Sequence, residues 1–365
     1  MRDWLKGMDV SSLLEVEACG GGFSVDGVPG DALAILRDHG ANLIRLRLWN
    51  DPYAEDGAPY GAGTNDLNRT MALARRAKEL GMEWMLDFHY SDFWADPGKQ
   101  TLPKAWRGMD IAALEHAVYG YTRSILDILR TNDLLPSMVA VGNEITNGLL
   151  WPVGRRPNFD NIARLVSAGL RAVDAGIETI VHLDNGGNNA LYREWFDNYF
   201  AHGGEDFDCI GLSYYPFWHG KMDGLRENMN DIALRYGKDL IVVETSMGFT
   251  LEDYAGYEAL APELRKGMAA TAELASKIDY PMTAEGQCAF LRDLAGIIRQ
   301  VPEGRGRGFV YWEPAWIPVP GSGWASAPAL HYTGESGPGG NEWANQALFD
   351  YDGRALPALK SIREL

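Results

Sequence analysis

The feature that most limits this fold is a rhythm. Short apolar, β-branched runs recur along the chain, near 6–10 and at 43–48, 84–88, 138–141, 179–183, 209–212, 240–243 and 308–312. Each has the length and composition of a strand. Helical patterns lie between them. The stretch 66–80 places Leu67, Met71, Ala74 and Ala77 at spacings of three and four, and it ends at Gly81, a helix C-cap signal. Residues 31–38, followed by Gly40, have the same form, and 111–129 and 162–175 also show helical spacing. Strand alternating with helix implies a parallel sheet with crossovers. Eight repeats favour a closed (β/α)₈ TIM barrel over an open doubly wound sheet.

At 365 residues the chain has room for such a barrel with insertions. No linker rich in Pro, Gly or Ser divides it, so the expectation is one α/β domain over 1–365. One long irregular stretch, about 316–345, is dense in Gly, Pro, Ser and Trp. It follows the eighth run, which should put it over the barrel mouth. The formal charge is 33 − 50 = −17. A surface this acidic repels nucleic acid and anionic membranes, so neither is expected as a partner. Cys19, Cys209 and Cys288 are too few and too widely spaced for a disulfide framework, and no spacing of Cys or His suggests zinc. The first residues lack the apolar segment of a signal peptide, and no apolar run is long enough to span a membrane. A soluble, cytoplasmic protein is therefore expected, or a secreted one if a leader has been removed; the sequence does not set the oligomeric state, and a monomer is favoured.

Active sites of this fold sit at the C-terminal ends of the strands, so the polar residues that follow each run matter most. They are Asp9 after the first run, Arg45, Arg47, Trp49, Asn50 and Asp51 in and after the second, and Asp87, His89, Tyr90, Ser91, Asp92 and Trp94 at the third. Asn143 and Glu144 follow the fourth, and His182, Asp184 and Asn185 the fifth. Ser213, Tyr214 and Tyr215 follow the sixth, Glu244 the seventh, and Trp312, Glu313 and Trp316 the eighth. Glu144 and Glu244 stand out, because both terminate apolar strands and should enter one mouth from different sides. Glycoside hydrolysis needs such a pair: one carboxyl donates a proton, and the other is a nucleophile about 5 Å away in retaining enzymes. Close carboxylates also split their titration, and a neighbouring cation decides which stays ionised. Arg45 is the candidate to hold Glu244 as the anion. A lone Glu at a strand end is as readily a salt-bridged or solvated group; two, one of them preceded by Asn, weaken that reading. The chain also has 12 tryptophans. Trp49, Trp94, Trp151, Trp218, Trp312, Trp316 and Trp324 fall at or after strand ends, where flat sugar faces could stack on them. Any one of them could instead be core. The expected substrate-binding residues are Arg45, Asp87, His89, Tyr90, Asp92, Trp94, Asp96, Asn143, Asn185, Tyr215 and Trp312.

At these positions the sequence resembles the endo-β-1,4-galactanases of glycoside hydrolase family 53. The matching segments run nearly end to end: GMDVSS at 7–12, IRLRLWNDP at 44–52, DFHYSDFWADPGKQ at 87–100, VGNEITNGLLWP at 141–152, GLSYYPFW at 211–218, VET at 243–245 and NQALFD at 345–350. The resemblance implies a retaining (β/α)₈ hydrolase with Glu144 as acid/base and Glu244 as nucleophile. It implies that Asn143 bonds the sugar 2-hydroxyl, with Arg45, His89, Tyr215 and Trp312 around the reacting sugar. The implied substrate is β-1,4-galactan, a side chain of pectin, or galacto-oligosaccharides, cut internally by double displacement. Some bacterial members carry a calcium-binding run after strand seven. Here 251–259 keeps only Asp253 as a ligand type, so no metal or cofactor is expected. The rival readings are the same machinery on mannan or xylan, a non-catalytic carbohydrate-binding barrel, and a metal-dependent hydrolase on the same fold.

Overall fold

Eight parallel strands close into a barrel in the computed structural model, which describes residues 4–254, 271–336 and 339–365. The strands are β1 (Leu5–Asp9), β2 (Leu43–Leu48), β3 (Glu83–Phe88), β4 (Met138–Val141), β5 (Glu178–Leu183), β6 (Cys209–Ser213), β7 (Asp239–Thr245) and β8 (Gly306–Trp312). Each pairs with its sequence neighbours, and β1 closes the ring against β8. Helices follow the strands in turn: α1 (Ala32–Asp38), α2 (Leu67–Glu79), α3 (Ile111–Thr131), α4 (Phe159–Ala172), α5 (Asn189–Ala201), α6 (Met222–Tyr236), α7 (Ala284–Arg299) and α8 (Pro357–Ile362). This is the (β/α)₈ barrel that the rhythm predicts.

Local chemistry sets the helix starts. The side chains of Asp31, Asp66 and Asp110 accept backbone N–H bonds from Ala34, Arg69 and Ala113, capping α1, α2 and α3. Helix α4 begins three residues before the expected 162, because Asn158 accepts from the N–H of Asn161 and caps the turn ahead of Ile162. It ends before the expected 175, because Val173 turns extended.

Alternation along the strands sorts the interior. Leu43 joins Leu5, Met85, Met138, Ile180 and Val310 in an apolar cluster inside the barrel. Ile44, Leu46 and Leu48 pack outward under the helices. Stepping by two from Leu43 puts Arg45 and Arg47 inside, toward the mouth. Strand β7 breaks the rule. Leu212 pairs with Val242 but Ser213 pairs with Glu244, so Val243 is the extra residue of a bulge. Val243 already faces the inner cluster. A regular strand would send the next side chain outward, and the bulge turns Glu244 back into the mouth.

The stretch after β8 is less irregular than its composition suggests. It contains a short helix, Ala327–Thr333, capped by Ser326. It is pinned to the loop after β2 by Ala62 N–H to Gly323 O at 2.9 Å and Ser326 N–H to Tyr60 O at 2.8 Å.

Candidate active site

A layer of buried charge lies under the barrel mouth. Arg45 Nη1 donates to Asp9 Oδ2 at 2.7 Å. Its Nη2 reaches Asp87 Oδ2, Asn143 Oδ1 and Glu244 Oε1, each at 2.8 Å. Arg47 donates to Asp9 Oδ1 at 2.9 Å and also to Glu313, which Ser12 holds through its backbone N–H and hydroxyl. Two guanidiniums thus face the four carboxylates of Asp9, Asp87, Glu244 and Glu313. Burial would raise Asp87, but Arg45 overrides it, helped by His89, and holds the carboxyl at about 2. The tautomer of His89 is dictated by its partners. Its Nδ1 accepts from Trp49 Nε1–H at 3.2 Å and from Ala95 N–H at 3.1 Å, so the proton sits on Nε2, 3.1 Å from Asp87 Oδ2. Burial lowers its pKa and keeps the ring neutral.

Glu144 and Glu244 line one cavity of about 490 Å³. Glu144 sits just past β4 with a left-handed backbone, φ 48° and ψ 50°. For a non-glycine residue this costs on the order of 1–3 kcal/mol and is common at functional sites. Asn143, beside it, is clamped: Oδ1 accepts from Arg45, Nδ2 donates to Ala95 O at 2.9 Å, and the backbone O accepts from Gln100 Nε2 at 2.8 Å. One N–H of its amide remains for the cleft, since an amide nitrogen carries two. Burial raises both carboxyls of the pair. At Glu244, Arg45 and the Tyr215 hydroxyl, 3.0 Å from Oε2, oppose the rise. At Glu144 the charges of Glu244 and Asp184 add to it. Glu244 therefore ionises first, and Glu144 keeps its proton.

Aromatic rings wall the cavity. Trp312 packs edge-on to Trp343 with centroids 4.7 Å apart, and lies 6.0 Å from Trp94. The guanidinium of Arg47 sits 4.8 Å above Trp94 and 5.2 Å from Trp312, fixing both rings from below. Trp94 Nε1–H donates to Trp324 O at 2.9 Å, tying the wall to the stretch after β8. Trp218, 49% exposed, stands at the rim.

Of the residues expected to bind substrate, His89, Trp94, Asp96, Asn143, Asn185, Tyr215 and Trp312 line the cavity. Four need correction. Tyr90 is buried, stacks on Phe88 at 5.3 Å and bonds Thr122 Oγ1 at 2.7 Å, so it is a core residue behind the site. Asp92 is buried and accepts from the backbone N–H groups of Asp51 and Lys104, so it organises the loops beside β3. Arg45 and Asp87 lie below the floor and touch Glu244 or each other, so they support the site without facing the cavity. Tyr90→Phe is expected to cost about 1 kcal/mol of stability, the worth of one buried hydrogen bond. It should leave kcat/KM within about twofold, as side chains away from a site generally do; thermal melts and initial rates check this. Trp49 is likewise buried, and Trp151 lies off the cavity with its Nε1–H on Asn147 O. Arg47 and Asp184, named at strand ends but not among the expected binding residues, also line the cavity, as do Lys99, Glu342 and Trp343, which no strand end marks. Arg47 was findable, two residues from Arg45 and on the same face. Trp343 lies far beyond β8, and only the folding-back of that stretch brings it in. The stretch read for calcium, 251–259, lies outside the described residues beyond Tyr254.

The model of glycosyl hydrolase family 53 matches residues 5–362. The chain belongs to this family. An endo-beta-1,4-galactanase of Bacillus subtilis (strain 168) is 35% identical over 98% of this chain and 85% of its own. The solved family 53 catalytic domain of Ignisphaera aggregans superposes with a TM-score of 0.90 at 39% identity, covering 99% of this chain and 96% of that one. A structure from a study of two fungal beta-1,4-galactanases superposes at 0.80 with 30% identity, covering 99% of each chain. Membership of family 53 makes the chain a glycosidase, and its barrel is that of the family's catalytic domains. Among the described residues no helix is long and apolar enough to cross a membrane.

Proposed function

We propose that this family 53 chain is a retaining endo-β-1,4-galactanase, with Glu144 as acid/base and Glu244 as nucleophile. One observation carries the roles: of the two strand-end glutamates in the cleft, Glu244 has a guanidinium at 2.8 Å and Glu144 has none among the described residues. The substrate reading is supported by the names of relatives 35% and 39% identical to this chain, an endo-beta-1,4-galactanase and a probable arabinogalactan endo-beta-1,4-galactanase. The Glu244 carboxylate attacks the anomeric carbon while Glu144 gives its proton to the departing O4 of the next sugar. The glycosidic bond breaks, and a glycosyl ester on Glu244 remains. Glu144, now a carboxylate, takes a proton from water as the water attacks the same carbon and expels Glu244. The free N–H of Asn143 is placed to donate to the sugar 2-hydroxyl, and Trp312 to stack beneath the reacting ring. Both half-reactions run on carboxyl groups alone, so the proposal includes no metal or cofactor.

The test is purified protein on linear β-1,4-galactan beside mannan and xylan, following reducing ends and product sizes. Galactan cut to short oligomers, before and after dialysis against a chelator, is the expected result. Cleavage of mannan or xylan alone would overturn the substrate, and loss on chelation restored by calcium would overturn the metal-free mechanism. Glu144→Ala should lose galactan cleavage but keep turning over a dinitrophenyl galactobioside when azide is added, giving a β-glycosyl azide. Retained cleavage of galactan by that variant would remove Glu144 from the role.

A further inference from the structure

We infer that His182 and Ser213 are positioning residues for Glu144, wired so that the Ser213 hydroxyl always donates its proton to the Glu144 carboxyl. The inference rests on the reading of Glu144 as acid/base.

The direction of the wiring follows from which atoms have protons. His182 on β5 and Ser213 on β6 are both fully buried. The backbone N–H of Glu144 points at His182 Nδ1, 3.4 Å away. A backbone N–H can only donate, so Nδ1 is the acceptor and carries no proton. A neutral imidazole then holds its proton on Nε2, which lies 2.8 Å from Ser213 Oγ. Burial, with Arg45 nearby, pushes the His182 pKa well below its ordinary value, so the ring is neutral and has this one tautomer. Ser213 Oγ therefore accepts from His182. Its own proton is left for the carboxyl beside it, that of Glu144, and this step is the inference.

The same contact anchors the left-handed backbone of Glu144, whose N–H would otherwise be unpaired in a buried turn. One imidazole thus holds the main chain of the acid/base and sets the donor to its side chain. The charge around Glu144 makes that donor count. Glu244 faces it from β7, Asp184 from the end of β5 and Asp96 from the loop after β3, all acidic. The Tyr215 and Tyr192 hydroxyls also lie within its field. Arg45 on β2 is taken up by Asp9, Asp87, Asn143 and Glu244. A donor aimed at a carboxyl favours its ionised form. Ser213 thereby stabilises the Glu144 carboxylate, the state that must accept a proton from water in the second half-reaction.

The pH dependence of kcat/KM on galactan tests this. Activity falls on the alkaline side as Glu144 loses its proton. Ser213→Ala removes the donor, so that limb is expected to move up by about one pH unit, the effect of one hydrogen bond to a charged group. Ser213→Thr keeps the hydroxyl and should leave the limb where it was. A Ser213→Ala limb in the wild-type position overturns the inference, as does a limb displaced equally by Ser213→Thr. Azide rescue of Glu144→Ala judges the acid/base assignment separately, so the two readings fail independently. Nitrogen-15 NMR of the histidines in the wild-type enzyme is the second measurement. His182 should be the neutral Nε2–H tautomer over about pH 5–8, where an ordinary histidine titrates. A ring protonated on Nδ1 would reverse the wiring and overturn it.

Discussion

Glu244→Gln is expected to lower kcat on galactan by about ten-thousandfold or more while leaving the fold intact. The amide has the shape of the carboxyl but cannot form the glycosyl ester, so the double displacement loses its first bond. At about 1.36 kcal/mol per decade the loss is ~5.5 kcal/mol of barrier, within the range an activated nucleophile supplies. Stability should behave differently. The layer under the mouth holds more carboxylates than guanidiniums, and Glu244 is repelled by Asp87 and Asp9. Arg45 keeps Asp9 and Asp87 when Glu244 becomes neutral. The melting temperature is therefore expected to stay level or rise. Removing the Glu244 charge also removes one of the two leading causes that raise Glu144, so the Glu144 pKa should fall in the variant. Carbon-13 NMR of labelled glutamate side chains reads that shift. A variant keeping more than a few per cent of wild-type kcat would sink the nucleophile assignment, and an unmoved Glu144 would sink the coupling.

The parts of the site that were legible in the sequence share a cause. Strand ends are marked by the switch from an apolar run to polar residues, and in this barrel the strand ends are the site. Asn143, Glu144, Tyr215 and Trp312 are marked that way, and all four line the cavity. What failed was depth. Tyr90 and Asp92 follow the same strand as His89, yet the chain leaves β3 through a left-handed turn at Tyr90, φ 49°, that drives its ring back among Phe88 and Tyr121. Nothing in residue type separates a tyrosine that faces sugar from one that faces Thr122. Glu244 shows the opposite case. Its chemistry at the end of β7 marks it, although period-two alternation after Val243 sends that position outward. The bulge that rescues it leaves no mark in composition. The sequence makes Arg45 the candidate to hold Glu244, and the 2.8 Å pair agrees, but its three other partners come from three other segments. The wall beyond β8 is only partly legible. Chain order places the stretch over the mouth and marks Trp324, but Trp343 reaches the cavity because the stretch folds back on the loop after β2, and pairing of that kind has no local period to read.

Arg45→Met is the substitution expected to damage both stability and catalysis. Methionine fills much of the volume but strands Asp9, Asp87 and Glu244 in a buried layer with Arg47 as the remaining guanidinium. Breaking a buried pair by removing one partner typically costs about 3–5 kcal/mol, because the other charge is left uncompensated. The pH dependence follows from Asp87. Its folded pKa of about 2 is depressed, so in the wild type it contributes stability above its unfolded value of about 3.9. That contribution is lost as pH falls from there through about 2. In the variant burial dominates, the carboxyls are raised, and the sign reverses: each gains stability by holding a proton, so the protein should be more stable at mildly acidic than at neutral pH. Catalysis has the same dependence. Without its guanidinium, Glu244 needs a higher pH to become the nucleophilic anion, so the acidic limb of kcat/KM should move upward toward the alkaline limb set by Glu144. The bell narrows, and activity at its maximum is expected to fall about a hundredfold or more, as the fraction of enzyme with Glu244 ionised and Glu144 protonated shrinks. Thermal melts across pH and a kcat/KM profile measure both effects. An acidic limb that stays at the wild-type pH would mean that Arg45 is structural only, and that Tyr215 alone holds the Glu244 charge.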